Sequence, residues 1–225
     1  MSAPATATAV TREIADGDAV VDVSAVVKDV PISMSDGVIL FADIGYPTRT
    51  DTGQRAAGRF PVLVTQNPYV FATGPDAYFV QRGYIFVSVD IRGTGRTQVP
   101  GDGPLASEVF SDRQAQDGAE VVQWAAHQLD GSDGRIGLTG CSFLGISQIF
   151  TAAKVGPTSP VKAIVPACAS HGYDNYFVGG IGAPTTSLFS LAGIILGFKH
   201  LAENQAAGQA LTSEIMAGGP RAYDG

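Results

Sequence analysis

Cysteine, histidine and basic residues are all scarce in this chain of 225 residues. It contains 2 Cys, 3 His and 14 Lys and Arg against 21 Asp and Glu, which gives a net charge of -7. An excess of negative charge without a basic cluster argues against nucleic acid or an anionic membrane as the main partner. The few cysteines and histidines show no spacing typical of a metal site, and nothing in the sequence indicates a cofactor.

Long apolar runs are absent as well. The longest, Leu188 to Phe198, is interrupted by one serine and two glycines, and it is well short of the roughly 20 residues that cross a bilayer. We expect no transmembrane helix. Residues 1-18 lack the basic start and apolar stretch of a signal peptide, so we expect a flexible arm. This favours a cytoplasmic location only slightly, leaves secretion open, and says nothing about the oligomeric state.

The two cysteines, Cys141 and Cys168, lie near the ends of consecutive predicted strands. A disulfide between them is geometrically conceivable. Free cysteines in a chain with so few of them are more often small, buried and inert. We therefore expect two buried thiols in preference to a disulfide.

Predicted strands and helices alternate along a chain whose hydrophobic content is 45%. Two strand-like runs flank the Ser-Asp-Gly turn at 35–37, which predicts an antiparallel hairpin. Compact apolar runs further along the chain suit parallel strands buried on both faces. The predicted strands are Ala19–Ile32, Val38–Tyr46, Phe60–Thr65, Tyr84–Val89 and Val161–Val165. The predicted helices are Asp76–Arg82, Asp112–Gln128 and Phe143–Val155.

This order of elements predicts an α/β fold. We expect a mostly parallel sheet with an antiparallel N-terminal hairpin and with helices on both faces. Apolar residues recur at helical spacing in the helix that begins at Asp112, so one face of it should be buried. The residues of that face are Ala115, Ala119, Val122, Ala126 and Leu129.

The segment Ile136–Gln148 combines a short apolar run, a serine between small residues, and a helical stretch. This pattern is typical of the nucleophile elbow of α/β-hydrolases, in which a tight turn exposes a serine hydroxyl above the sheet. The strict motif has glycine two residues after the serine, whereas here Leu144 occupies that position and Gly145 follows it. The alternative reading is a serine that only turns a strand into a helix.

Several segments in order resemble the N-terminal part of the X-Pro dipeptidyl-peptidase and bacterial cocaine-esterase group of serine hydrolases. The ending Ser142-Phe-Leu-Gly145 is similar to the Ser-Tyr-Leu-Gly form of cocaine-esterase-like members. The resemblance implies an α/β-hydrolase fold, incomplete at its C-terminal end. It also implies an arm at 1-18, part of a catalytic domain at 19-170, and the start of a helical cap at 171-225. The matching segments are Met34–Asp43, Pro61–Tyr69, Gly83–Gly95, Asp133–Gly145 and Val161–Pro166.

Three residues are candidates for the chemistry. Ser142 would attack an ester or amide carbonyl and form an acyl-enzyme, so the expected partner is a small ester or a short peptide. The backbone N–H of Phe143 would stabilise the oxyanion. The resemblance implies that the hydroxyl of Tyr69 is the second donor. Without the resemblance, Tyr69 is an ordinary loop tyrosine.

The acid and the histidine of a catalytic triad are harder to assign. His127 is expected at the surface, near the end of its helix. Asp174 and His200 have the order that hydrolases use, but neither follows a recognisable strand. We therefore expect the acid and histidine to lie beyond residue 225, and the chain to be an inactive, aggregation-prone fragment of an enzyme. The alternative is a non-catalytic hydrolase-like binding module.

The glycine-rich turn Arg92–Thr97 could suggest a phosphate-binding loop. It has Gln98 where a dinucleotide fingerprint needs its third glycine, and no Gly-Lys-Ser/Thr ending follows. The resemblance implies that this segment is a structural turn.

Overall fold

The structure, a computed structural model, describes residues 21–49, 51–69, 74–97 and 111–169. The predicted arm at 1-18 and cap region at 171-225 lie outside the described residues. The strands are β1 (Val21–Ser33), β2 (Ile39–Arg49), β3 (Phe60–Asn67), β4 (Ile85–Asp90), β5 (Ser132–Cys141) and β6 (Val161–Ala167). The helices are α1 (Ala77–Val80), α2 (Asp112–His127) and α3 (Phe143–Val155).

The six strands form one mixed sheet in the order β1-β2-β4-β3-β5-β6. The β1–β2 hairpin is antiparallel, and β2 pairs antiparallel with β4. From β4 to β6 all neighbouring strands are parallel. The prediction of a mostly parallel sheet with an antiparallel first edge is confirmed. Since β3, β5 and β6 run in the same direction, their carboxyl ends meet at one edge of the sheet.

The core lies between the central strands and α2. Val64 of β3 and Leu138 of β5 are buried together with Val121 of α2. The predicted apolar face of α2 is buried as expected. The Ser111 hydroxyl caps this helix by accepting the N–H of Gln114 at 3.1 Å. Within the described part of the chain, no helix is both long and apolar enough to cross a membrane.

Strand β6 differs from the prediction that its apolar run is buried on both faces. Among the described residues it is the outermost strand and pairs only with β5. Ile164 is 36% exposed and Val165 is 58% exposed. The prediction holds for β4, where all six residues are buried. Both apolar runs predict buried strands. Their burial differs because β4 lies inside the sheet, whereas β6 lies at its edge among the described residues.

The turn of the hairpin is attached to α2 by Ser35. Its hydroxyl and its N–H donate to the two carboxylate oxygens of Glu120, at 2.6 and 2.7 Å. Burial acts to raise the pKa of Glu120, but these hydrogen bonds and one from Gln116 outweigh it and hold the pKa below its usual value. The contact therefore stabilises the fold more strongly when Glu120 is ionised than when it is protonated.

We expect this contact to make folding stability depend on acid pH. In the folded protein the pKa of Glu120 lies below the value of 4.5 that is ordinary for glutamate. The stabilisation is therefore complete above pH 4.5 and is lost as the pH falls through the folded-state pKa. Glu120→Gln should flatten the decrease in unfolding free energy between about pH 5 and pH 3. Urea unfolding at several pH values would measure this, and an equal decrease in both proteins would contradict it.

The turn Arg92–Thr97 is structural, in agreement with its expected role. The guanidinium of Arg92 donates to both carboxylate oxygens of buried Asp117, each at 2.8 Å. Arg96 donates to Asp90 through its backbone N–H at 3.0 Å and its Nε at 2.8 Å. Gly95 has φ 51°, and a Cβ there would lie 2.5 Å from the Asp90 carboxylate. The two arginine side chains of this turn are thus already paired with carboxylates of the protein itself.

Candidate functional site

Two of the predicted site residues meet at the carboxyl edge of the sheet. Tyr69 lies two residues after β3, and Ser142 directly follows β5. The parallel pairing of β3 with β5 brings these two strand ends together. The Tyr69 hydroxyl donates to Ser142 Oγ at 3.3 Å, across 73 residues of sequence. The third predicted residue, Phe143, is buried and is the first residue of α3.

Ser142 occupies a strained backbone conformation, with φ 61° and ψ -124°. Its N–H donates to the carbonyl of Ala167 at 3.0 Å, and its own carbonyl accepts the N–H groups of Gly145 and Ile146, each at 2.9 Å. A non-glycine residue stays in this region only when its surroundings fix it, and such residues concentrate at functional sites. These three hydrogen bonds supply that fixation.

The side chain of Ser142 is exposed and does not cap α3. A serine that served only to begin a helix would accept a hydrogen bond from an N–H of the first turn, as Ser111 does for α2. The Ser142 hydroxyl instead lies next to Tyr69. The geometry therefore favours the elbow over the plain strand-to-helix turn.

The structure explains why the glycine of the motif is displaced by one residue. A Cβ on Gly140 would overlap the Cβ of Leu144, so Leu144 fits because Gly140 has no side chain. A Cβ on Gly145 would overlap the carbonyl oxygen of Ala167 and lie 3.1 Å from that of Gly140. The α3 backbone at position 145 lies so close to these two carbonyl oxygens that only glycine fits there. The side chain of Leu144 packs over Gly140 instead.

Gly145→Ala is expected to destabilise the protein by roughly 1–3 kcal/mol, although alanine favours helices, because the added methyl group displaces the Ala167 carbonyl. Ala153→Gly, at an exposed position of the same helix, measures the intrinsic difference between the two residues. Chemical denaturation of both variants provides the comparison. A Gly145→Ala protein as stable as the original would show that the approach of α3 to β6 is not tight.

Tyr69 is held by its own loop. Asn67 is buried, and its Oδ1 accepts the N–H of Tyr69 at 2.7 Å. The carbonyl of Asn67 accepts the N–H of Ile91 at 3.1 Å. An asparagine that closes a turn on the residue two positions later fixes the direction of the chain. The loop thereby directs Tyr69 toward Ser142.

Gln148 of α3 is a residue that the sequence analysis missed. Its Nε2 donates to the carbonyls of Gly140, Leu144 and Val165 at 3.3, 2.8 and 3.2 Å. Its Oε1 accepts the N–H of Val165 at 2.9 Å. One buried amide thus joins β5, α3 and β6 around Ser142. The available signal was a long polar side chain on the buried side of a predicted helix, where its amide needs hydrogen-bond partners.

The expectation of two buried thiols is wrong. Cys141 and Cys168 form a disulfide, with their Cα atoms 5.0 Å apart, and both residues are exposed. The cause is the register of β5 with β6, which places Cys141 beside Ala167. Cysteines at corresponding ends of adjacent parallel strands are close enough to be bridged.

The described residues contain no base for Ser142. His127 is exposed at the last position of α2, as predicted, while His171, Asp174 and His200 lie outside the described residues. Within the ranges that the structure describes, no histidine or carboxylate is hydrogen-bonded to Ser142. Nor does any group of three His, Cys, Asp or Glu side chains there have an arrangement that could hold a metal.

Comparison with known proteins gives consistent matches. The sequence model of the X-Pro dipeptidyl-peptidase (S15) family matches residues 36–216. Cocaine esterase from Rhodococcus sp. (strain MB1 Bresler) is 33% identical over 153 residues, which cover 64% of this chain and 24% of that protein. The crystal structure of a CocE/NonD family hydrolase from Staphylococcus aureus is similar with a TM-score of 0.52 and 28% identity, over 63% of this chain and 27% of that one.

A hypothetical protein from Pseudomonas aeruginosa shares the fold, with a TM-score of 0.52 and 21% identity over 91% of this chain and 60% of that one. The first two relatives are much longer than the matched region. This chain covers 24% of the esterase and 27% of the staphylococcal hydrolase, about a quarter of each.

Proposed function

The chain belongs to the X-Pro dipeptidyl-peptidase (S15) family, and from that premise we propose that it is part of a serine hydrolase that forms an acyl-enzyme on Ser142. Its sheet has the α/β-hydrolase arrangement. The observation that carries the proposal is the contact between the Tyr69 hydroxyl and Ser142 Oγ at 3.3 Å, on a serine held at φ 61°.

In the proposed reaction Ser142 Oγ attacks the acyl carbonyl carbon while a base removes the hydroxyl proton. The carbonyl oxygen becomes an oxyanion, which accepts hydrogen bonds from the Tyr69 hydroxyl and the Phe143 N–H. The N–H lies at the amino end of α3, where the helix dipole also favours negative charge. Collapse of this intermediate expels an alcohol or amine, and water then releases the acid.

The base and its orienting acid are proposed to come from sequence beyond residue 225. Hydrolases of this fold supply them in the order serine, acid, histidine. The matched relatives extend far beyond the region that this chain covers. We therefore treat the chain as a fragment that is inactive alone. Small esters and short peptides are the proposed substrates, and residues 171-225 are proposed to begin the cap over them.

The test is labelling with a fluorophosphonate, which reacts only with an activated serine. The full-length protein that contains this chain should be labelled at Ser142, and Ser142→Ala should not be labelled. Mass spectrometry of the adduct locates the site. Ser147→Ala, in helix α3 that follows Ser142, is the matched control and should keep its label.

Two other outcomes are informative. A folded full-length protein that takes no label would overturn the proposal and favour a non-catalytic hydrolase-like binding module. Labelling of the 225-residue chain by itself would leave Ser142 as the nucleophile but would show that the base lies within these residues or on a second copy.

A further inference from the structure

The disulfide lies directly beside the proposed nucleophile at both of its ends. Cys141 precedes Ser142, and Cys168 follows Ala167, whose carbonyl accepts the Ser142 N–H at 3.0 Å. The covalent bond and this hydrogen bond connect the same two chain segments, one residue apart. Together they clamp the elbow to the end of β6.

Both segments of the clamp are held in the left-handed region. Ser142 has φ 61° and Cys168 has φ 52°. Each conformation is unfavourable for a residue with a side chain and persists only where other contacts impose it. Opening the disulfide would free Cys168 to leave this conformation. The preceding carbonyl of Ala167 would then move away from Ser142.

The disulfide is also accessible. Both cysteines are exposed at the carboxyl edge of the sheet, the edge at which Ser142 also lies. Exposed disulfides exchange with external thiols, whereas buried ones are protected from attack. A reductant can therefore reach this bond without unfolding the core.

We infer that Cys141–Cys168 is a redox-modifiable site that controls the geometry of Ser142. A thiolate of a small dithiol attacks one of the two sulfurs, the S–S bond breaks, and the other cysteine leaves as a thiolate. The second thiol of the reductant then releases the remaining cysteine. The protein gains two electrons and two protons as two thiols, and the dithiol becomes a disulfide. The oxidised protein has the ordered elbow, and the reduced protein has a loosened one.

The inference that reduction lowers reactivity rests on the proposed function of Ser142, but the effect on the elbow can be measured without activity. Full-length protein is purified without reductant and titrated with dithiothreitol, and differential alkylation reports the state of both cysteines. Amide hydrogen exchange follows the Ser142 N–H and, as an internal reference, helix α2. The fluorophosphonate labelling rate is measured on the same samples.

Reduction should increase exchange at Ser142 and decrease the labelling rate by about tenfold each, with exchange in α2 unchanged. A Cys141→Ala/Cys168→Ala double variant should show the same values without reductant and should not respond to dithiothreitol. This variant separates loss of the bond from side effects of the reductant.

Three results would overturn the inference. The first is free thiols in protein purified without reductant. The second is unchanged exchange at Ser142 after complete reduction. The third is increased exchange throughout α2, which would make the disulfide a support of the whole fold. If the oxidised protein takes no label at Ser142 while exchange responds as expected, the proposed function fails and the control of the elbow stands.

Discussion

Tyr69→Phe is expected to lower kcat of the full-length protein by roughly 10²- to 10³-fold, because in the proposed mechanism it removes one of the two donors to the oxyanion. The ring remains, and the contact of Asn67 with the backbone N–H of Tyr69 does not depend on the hydroxyl. The fold should therefore be unchanged. Steady-state kinetics with a chromogenic ester would measure the effect.

The division between kcat and KM identifies the role. In the structure the Tyr69 hydroxyl donates to Ser142 Oγ, and in the proposed mechanism it turns to the oxyanion once that charge forms. An interaction made only in the transition state lowers kcat and kcat/KM equally and leaves KM nearly unchanged. Tyr78→Phe, on an exposed tyrosine of α1, is the matched control and should have full activity. A selective increase in KM would assign Tyr69 to substrate binding instead.

Most of the fold could be predicted from the sequence because the relevant signals are local. The starts of α2 and α3 at Asp112 and Phe143 agree with the prediction, since a capping serine precedes one and the glycine-flanked elbow precedes the other. The end of β3 did not agree. This strand continues two residues past Thr65, because Asn67 pairs with Asp90 of β4, and that pairing depends on the strand order.

A residue of the site could be predicted from the sequence where its contacts lie close to it along the chain. Ser142 and Phe143 follow from one segment, whereas Tyr69 follows from the resemblance alone, since 73 residues separate it from Ser142. The disulfide and the role of Gln148 both depend on β6 lying beside β5, and spacing along the chain does not specify that neighbour. The strand propensity of an apolar run also does not show whether that strand lies at the edge of the sheet or inside it.

Gln148→Glu is expected to destabilise the folded protein by about 3–5 kcal/mol at neutral pH, because it buries an unpaired charge. Gln148 is 2% exposed, and its Nε2 faces three carbonyl oxygens. Glutamate has nearly the same shape but brings carboxylate oxygens against those acceptors. Denaturant unfolding of the wild type and the variant would measure the cost.

The pH dependence of this variant separates charge from packing. Burial among carbonyls raises the pKa of the new carboxyl above its value in the unfolded chain, so the cost is full at neutral pH and shrinks as the pH falls below the folded-state pKa. Gln148→Met is the matched control, since it removes the hydrogen bonds without adding charge. It should cost about 1–3 kcal/mol at every pH. The same pH-independent loss in both variants would contradict the explanation by charge.

Gln148 also connects stability with the site, because its amide joins Gly140, two residues before Ser142, to Val165, two residues before Ala167. At a pH where Gln148→Met is still folded, we expect its Ser142 N–H to exchange faster than that of the wild type, since β6 is then held to the elbow by fewer contacts. Equal exchange of the Ser142 N–H in both proteins would mean that Gln148 stabilises the fold but does not position Ser142. The hydrogen bond from Ser142 to Ala167 and the disulfide would then be sufficient to position Ser142.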